Sequence, residues 1–197
     1  RAPAIGAVIL AAGSSRRAAP RNKLLHPIDG APMIRRVAET ALAAGFDPCV
    51  VVLGDQADQV RAVLAELPLR FVVNEAHAEG MGRSIAAGIT ALAADHPELD
   101  GAAIVLGDMP HVRVADLEAL RAAFHASASP RIVAPEAGEG EDRRLGNPVL
   151  WPRGHFAALA QLQGDRGAQR IVQASPDAVL RVAIEHPGVL LDIDVLK

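Results

Sequence analysis

The stretch Ile5-Gly6-Ala7-Val8-Ile9-Leu10-Ala11-Ala12-Gly13-Ser14-Ser15-Arg16-Arg17 decides the fold. Residues 5–10 form a continuous apolar run without the alternation of a half-exposed strand, which predicts a strand buried on both faces. Strands of that kind belong to parallel sheets covered by helices. The run ends in small residues and two arginines, and Lys23 follows ten residues past Gly13. Small residues let backbone N–H groups approach phosphate oxygens, and the three cations supply charge. An ordinary strand-to-helix turn with a solvated basic stretch reads the same way. The loop is neither a Walker A sequence nor a GxGxxG fingerprint, which argues against a P-loop kinase and a nicotinamide enzyme.

Outward from this strand the alternation continues. Further strands are predicted at residues 49–53, 70–73, 102–106, 131–134, 148–151, 179–184 and 189–193. Helices are predicted over 32–44, 56–66, 83–94, 114–124, 154–162 and 166–174, with a polar, glycine-containing loop over 136–146. Strand and helix in alternation demand a three-layer α/β/α arrangement around a mostly parallel sheet. The expectation is one domain over residues 1–197, with a less regular second half. In such sheets ligands bind beyond the carboxyl ends of the strands, where strand order reverses.

Composition narrows the function classes. The chain has 197 residues, half of them hydrophobic, and a formal net charge of −3. A domain of this size buries roughly 70% of its unfolded surface, so it needs no disulfide or metal staple. No basic excess exists to neutralise a nucleic-acid backbone. No apolar run is long enough to span a bilayer. Arg1-Ala2-Pro3 leads into the first strand without a secretory pattern, so a cytoplasmic protein is expected, and the missing initiator Met reads as an incomplete gene product. The single cysteine, Cys49, lies in an apolar run and reads as a small core residue. The 20 basic residues are 18 arginines and two lysines, and Lys23 is the only lysine before the last residue. A compact ammonium retained among planar guanidinium groups points toward a site. The seven histidines are scattered, with no zinc-ligand spacing and no nucleophile–base pair.

Five further segments carry candidate chemistry. Gly107-Asp108-Met109-Pro110 follows a predicted buried strand and projects a carboxylate at the ligand edge. One carboxylate plus substrate phosphates is a common way to hold Mg²⁺, although a turn or N-cap Asp looks identical. Asp192 and Asp194, at i and i+2 of a predicted strand, share a face and are either metal partners or edge solubilisers. Gly80 and Gly82 permit close approach, and Ser84 falls in the first turn of the following helix, where free N–H groups receive acceptor-rich ligands. Gly146-Asn147-Pro148 and Gly164-Asp165-Arg166-Gly167 read as turns.

Taken together these segments resemble a family. Leu10-Ala11-Ala12-Gly13 with Ser15, Arg17 and Lys23 resembles the LAAGxSxRMGxxxxK signature of nucleotidyltransferases with a glycosyltransferase-A-like, Rossmann-type fold. Gly80-Met81 with Ser84 and Gly88, then Gly107 to Pro110, Gly146 to Pro148, Gly164 to Ala168 and Asp192 to Asp194 match the family's later motifs in order. The set is similar to the molybdenum cofactor cytidylyltransferases. Ala18-Ala19 stands where the family carries Met-Gly, which stiffens that part of the loop.

The resemblance implies transfer of CMP from CTP to the terminal phosphate of molybdenum-molybdopterin, with Mg²⁺, or Mn²⁺ in its place, as cofactor. It implies that Leu10, Ala11, Ala12, Gly13 and Ser15 cradle the triphosphate, that Arg17 neutralises the leaving pyrophosphate, and that Lys23 contacts the α-phosphate. By the same resemblance Asp108 and Asp194 hold the metal, Gly80, Gly82 and Ser84 border base and ribose, and Gly146, Asn147, Pro148, Asp165 and Gly167 line the acceptor pocket. Residues 1–110 would form the nucleotide half and 111–197 the acceptor half. Small-molecule substrates, a molybdenum hydroxylase or its maturation chaperone, and neither nucleic acid nor membrane, are the implied partners. Two rival readings stand beside it: a cytidylyl- or uridylyltransferase acting on a sugar or alcohol phosphate, and a non-catalytic pterin-cofactor carrier.

Overall fold

The computed structural model describes residues 1–13 and 22–193. In chain order the elements are β1 (Ile5–Ala11), β2 (Pro27–Ile28), β3 (Ala31–Pro32), α1 (Met33–Ala43), β4 (Cys49–Leu53), α2 (Ala57–Val63), β5 (Leu69–Val73) and α3 (Met81–Asp95). They continue as β6 (Gly101–Leu106), α4 (Val114–Ala126), β7 (Ile132–Ala137), β8 (Arg144–Leu145), β9 (Val149–Pro152), α5 (Phe156–Leu159), α6 (Gln169–Ala174) and β10 (Val179–Ala183).

The main sheet runs β10-β7-β9-β6-β1-β4-β5, with β8 added on β7. β1 pairs in parallel with both β4 and β6, β4 with β5, and β7 with β10. Only β9, between β6 and β7, and the short β8 run antiparallel to their neighbours in this sheet. The expected α/β fold with a mostly parallel central sheet is therefore the observed one. From β1 the chain first builds outward through β4 and β5, then returns to place β6 on the other side. That reversal opens a crevice at the carboxyl ends of β1 and β6.

Alternate residues of β1 serve the two faces. Ala7, Ile9 and Ala11 pack with α1, α2 and α4 through Ile34, Val60, Leu117 and Phe124. Val8 and Leu10, with Ala12 just past the strand, pack with α3 and α5 through Ile85, Ile89 and Leu159. Burial on both faces explains why the strand reads as one apolar run. Gly88 lets α3 lie directly on the sheet, because a Cβ there would overlap the side chains of Val8 and Val52. Among the described residues, no helix is long and apolar enough to cross a membrane.

The predicted strand over 189–193 is absent. A 3₁₀ turn, Pro187–Leu190, takes its place, and residues 191–193 have no regular structure. Its backbone groups are used by loops instead: the Val189 carbonyl accepts from Asn147 N at 2.9 Å, and Ile193 N donates to the Asp108 carbonyl at 2.8 Å. Asp192 therefore lies on no strand face, and Asp194 is outside the described residues. The helix expected over 154–162 shrinks to a 3₁₀ turn, Arg153–His155, followed by α5. The one expected from 166 starts at Gln169, because Gly167 holds a positive φ of 52°.

Candidate active site

The crevice is built from the ends of β1 and β6. Gly107 N donates to the Leu10 carbonyl at 3.0 Å, which continues the parallel ladder one step past β6. A Cβ at Gly107 would collide with that carbonyl, so the close approach requires glycine here. Asp108 then leaves the sheet at its ligand edge, with a side chain about a quarter exposed. Beside it Leu10, Ala11 and Ala12 are buried and Gly13 is exposed. Ser15 and Arg17 lie outside the described residues, as does Asp194.

Lys23 opens a three-residue 3₁₀ turn, Lys23–Leu25, and its Nζ reaches Asp108 Oδ2 at 3.0 Å. The neighbouring Asn22 is 2% exposed. Its Oδ1 accepts from Leu24 N at 3.0 Å, and its Nδ2 donates to the Asp55 carbonyl at 3.2 Å. Lys23 and Asp108, read separately from sequence, thus meet at one point.

Glycines 80 and 82 also make a close approach, but to another loop of the same chain. Gly82 N donates to the Gly164 carbonyl at 2.9 Å. Gly80 has a φ of 112°, and a Cβ there would lie 2.5 Å from Asp165 Oδ1 and 2.6 Å from the Gly164 carbonyl. The expected nucleotide loop and the expected acceptor turn therefore form one rim. Ser84 is buried, and its Oγ accepts from Asn74 Nδ2 at 3.0 Å. Asn74 Oδ1 in turn accepts from Ala76 N at 3.1 Å, which fixes the loop between β5 and α3. Ser84 is thus engaged in holding that loop.

Between this rim and the sheet lies a cavity of about 320 Å³. Its sheet wall is apolar, with Ile104 and Leu106 of β6, Ala134 of β7, and Val149 and Trp151 of β9. From the rim, α3 and the α6 segment come the apolar Met81, Ile85, Ala168 and Val172 and the polar Asp165, Arg166, Gln169 and Gln173. Gly146 and Asn147 also line it. Pro148 lines a separate, much smaller recess with Val105 and Met109. Gly167 is buried against Met81 and Ile85. The cavity adjoins the crevice, since Leu106 on its wall is two residues from Asp108.

Three residues in this region escaped sequence reading: Asn22, Asn74 and Trp151. The two asparagines act through partners distant in sequence, and no local pattern signals that. Trp151 is the only tryptophan and lies in a predicted strand, a signal that was available.

Among the described residues no group of three His, Cys, Asp or Glu side chains is placed to hold a metal by itself. The described donor set is the single carboxylate of Asp108 beside Lys23. That fits a hard divalent cation held largely by substrate phosphates rather than by an all-protein cage.

The chain is similar to several known proteins. A bifunctional protein GlmU from Alkalilimnicola ehrlichii is 39% identical over 120 residues, covering 60% of this chain and 25% of that one. The chain thus spans about a quarter of that relative, and 34% of the GlmU from Clavibacter sepedonicus. A nicotine blue oxidoreductase from Paenarthrobacter nicotinovorans is 29% identical and covers 99% of this chain and 94% of its own. The crystal structure of Rv0371c from Mycobacterium tuberculosis H37Rv superposes with a TM-score of 0.79 at 30% identity, covering 94% of this chain and 90% of that one. The same protein is known as a manganese complex, which superposes with a TM-score of 0.73 at 31% identity, over 92% and 88% of the two chains. The model of the MobA-like NTP transferase domain matches residues 7–179, from the first strand through the rim and cavity to the last strand, and the chain belongs to that nucleotidyltransferase family.

Proposed function

We propose that this transferase moves CMP from CTP to the terminal phosphate of molybdenum-molybdopterin and releases pyrophosphate. Residues 1–197 would act as one unit, the first 110 receiving the nucleotide and the rest the acceptor. The observation that carries the acceptor reading is the two-sided cavity beside the crevice. A flat heteroaromatic body can lie on the wall of Ile104, Leu106, Val149 and Trp151 while its polar edge faces Asp165, Arg166 and Gln169. A sugar phosphate would turn hydroxyls toward that wall and leave them unpaired, at about 1–3 kcal/mol each.

The acceptor phosphate oxygen attacks the α-phosphorus in line, the new P–O bond forms, and the bond from the α-phosphorus to the bridging oxygen breaks. Pyrophosphate leaves with that electron pair. The nucleophile is already an anion, so no strong base is required. What the protein supplies is position and charge. Lys23 would turn from Asp108 toward the α-phosphate, and Arg17 would neutralise the pyrophosphate. Asp108 and Asp194 would hold Mg²⁺, or Mn²⁺ in its place, which supplies charge neutralisation on the phosphates. The manganese complex of Rv0371c supports a divalent cation in this family. The Leu10 to Gly13 backbone would face the phosphates, and the Ser84 loop would border base and ribose. The Ala11-Ala12 pair supports CTP over GTP.

One observation favours a second reading. The relative that spans nearly the whole chain is named an oxidoreductase of nicotine blue. An oxidoreductase reading would need a redox partner, and Leu10 to Gly13 is not a dinucleotide fingerprint. Nucleotide-dependent pyrophosphate release separates the readings. Release from CTP with molybdenum cofactor present supports transfer. NADPH oxidation by a flat aromatic acceptor, without pyrophosphate release, would replace it.

A further inference from the structure

Asn22 and Lys23 are consecutive, yet their side chains reach opposite sides of β1. Asn22 Nδ2 donates to the Asp55 carbonyl, just past β4, at 3.2 Å. Lys23 Nζ meets Asp108, just past β6, at 3.0 Å. β4 and β6 are the two strands that flank β1. The dipeptide therefore spans the mouth of the crevice from one flank to the other.

The Asn22 side chain uses both ends. Its oxygen accepts from Leu24 N at 3.0 Å and caps the turn that carries Lys23, while its nitrogen ties that turn to the Asp55 backbone. It does so at 2% exposure, where an unpaired amide is costly. A turn of three residues has little stability of its own. A lysine has a long stem with many rotamers, so the place its ammonium can reach depends on where its backbone is anchored. Asparagine alone among small side chains offers a carbonyl and an amide from one short stem. Serine keeps the cap and loses the tether. Aspartate keeps the cap and sets a bare oxygen against the Asp55 carbonyl.

We propose that Asn22 is a positioning residue for nucleotide binding, whose tether to Asp55 sets the point from which Lys23 reaches the phosphates. This rests on the reading of Lys23 as a phosphate contact. The test measures the calorimetric affinity for CTP with Mg²⁺, or for whichever nucleoside triphosphate the parent binds tightest, in four proteins: parent, Asn22→Ser, Lys23→Ala and the double variant. Melting temperatures accompany each. The expected result is at least a fivefold weaker affinity for Asn22→Ser, with a melting temperature close to the parent. In the Lys23→Ala background the same change should add less than twofold, because the tether then has no ammonium to place. Asn22→Thr, which likewise keeps a capping hydroxyl and lacks the amide, supplies a second loss of the tether if the serine variant folds poorly, with the same expectation. Parent-like affinity in a folded variant, or a loss that multiplies in full with that of Lys23→Ala, would overturn the proposal and leave the transferase reading intact. A parent that binds no nucleoside triphosphate would overturn the reading itself, and the inference with it.

Discussion

Lys23 Nζ lies 3.0 Å from Asp108 Oδ2, joining residues 85 apart in sequence across the mouth of the sheet. Their side chains are 17% and 24% exposed, so the pair is partly screened by solvent. On the proposed mechanism the pair would part when phosphates reach the lysine and a cation the aspartate. The pair thus orders the two groups that the proposed chemistry separates.

Replacing Lys23 by arginine keeps the charge and changes its shape. A planar fork cannot take the same point without shifting the nucleotide, and a shift of about 1 Å can cost roughly a hundredfold in rate. We expect kcat/KM to fall at least about tenfold for Lys23→Arg, or about 1.4 kcal/mol of transition-state stabilisation. Lys23→Ala should lose more, and both should melt near the parent. Steady-state kinetics with matched thermal melts check this; parent-like kinetics for Lys23→Arg would return the residue to a surface charge.

Asp108→Ala should abolish turnover while the ligand-free melting temperature changes little, because the ion pair it breaks is partly solvated. Turnover near the parental level would move the metal site elsewhere.

The cavity makes a separate prediction. Ala168 lies on its wall at the start of α6 and is only partly buried. Ala168→Phe should fill space that the acceptor needs. The acceptor KM should rise several-fold with the CTP affinity unchanged. An equal loss of CTP affinity would mean that the cavity holds the nucleotide.

Cys49 connects the fold to pH. Its thiol is buried at 2% exposure and donates to the Phe46 carbonyl at 3.3 Å. Burial, and then the nearby Asp47 carboxylate, push its pKa up from 9.0 to about 12. A thiol that stays protonated in the folded state but ionises in the unfolded one favours unfolding as pH rises. Its contribution is complete below about pH 9 and is lost progressively between there and pH 12. Urea melts from pH 7 to 10 should therefore show a steeper alkaline loss for the parent than for Cys49→Ala. Identical slopes would contradict this linkage.

The parallel half of the sheet was legible because burial on both faces leaves unbroken apolar runs. β1, β4 and β6 match the predicted strands to within a residue at each end. The antiparallel insertion of β9 was not legible, since Val149–Pro152 reads like any buried strand and its neighbours come from tertiary packing. Residues 189–193 misled for the opposite reason: an apolar run there covers loops rather than joining the sheet. Asp108 could be singled out because it follows a buried strand, and Lys23 because it is the only lysine before the last residue. Gly80 and Gly82 could be read as close-approach positions, but their partner, the Gly164 loop, lies more than eighty residues away. Asn22 depends likewise on Asp55, whose contribution is a backbone carbonyl with no sequence signature.

Single-turnover pyrophosphate release, with each of the four nucleoside triphosphates, Mg²⁺ and purified molybdenum cofactor, reads the proposed transfer itself. We expect release from CTP that depends on the cofactor and exceeds release from GTP, ATP and UTP. Release from GTP at an equal or greater rate, or no release from any nucleotide with the acceptor present, would contradict it.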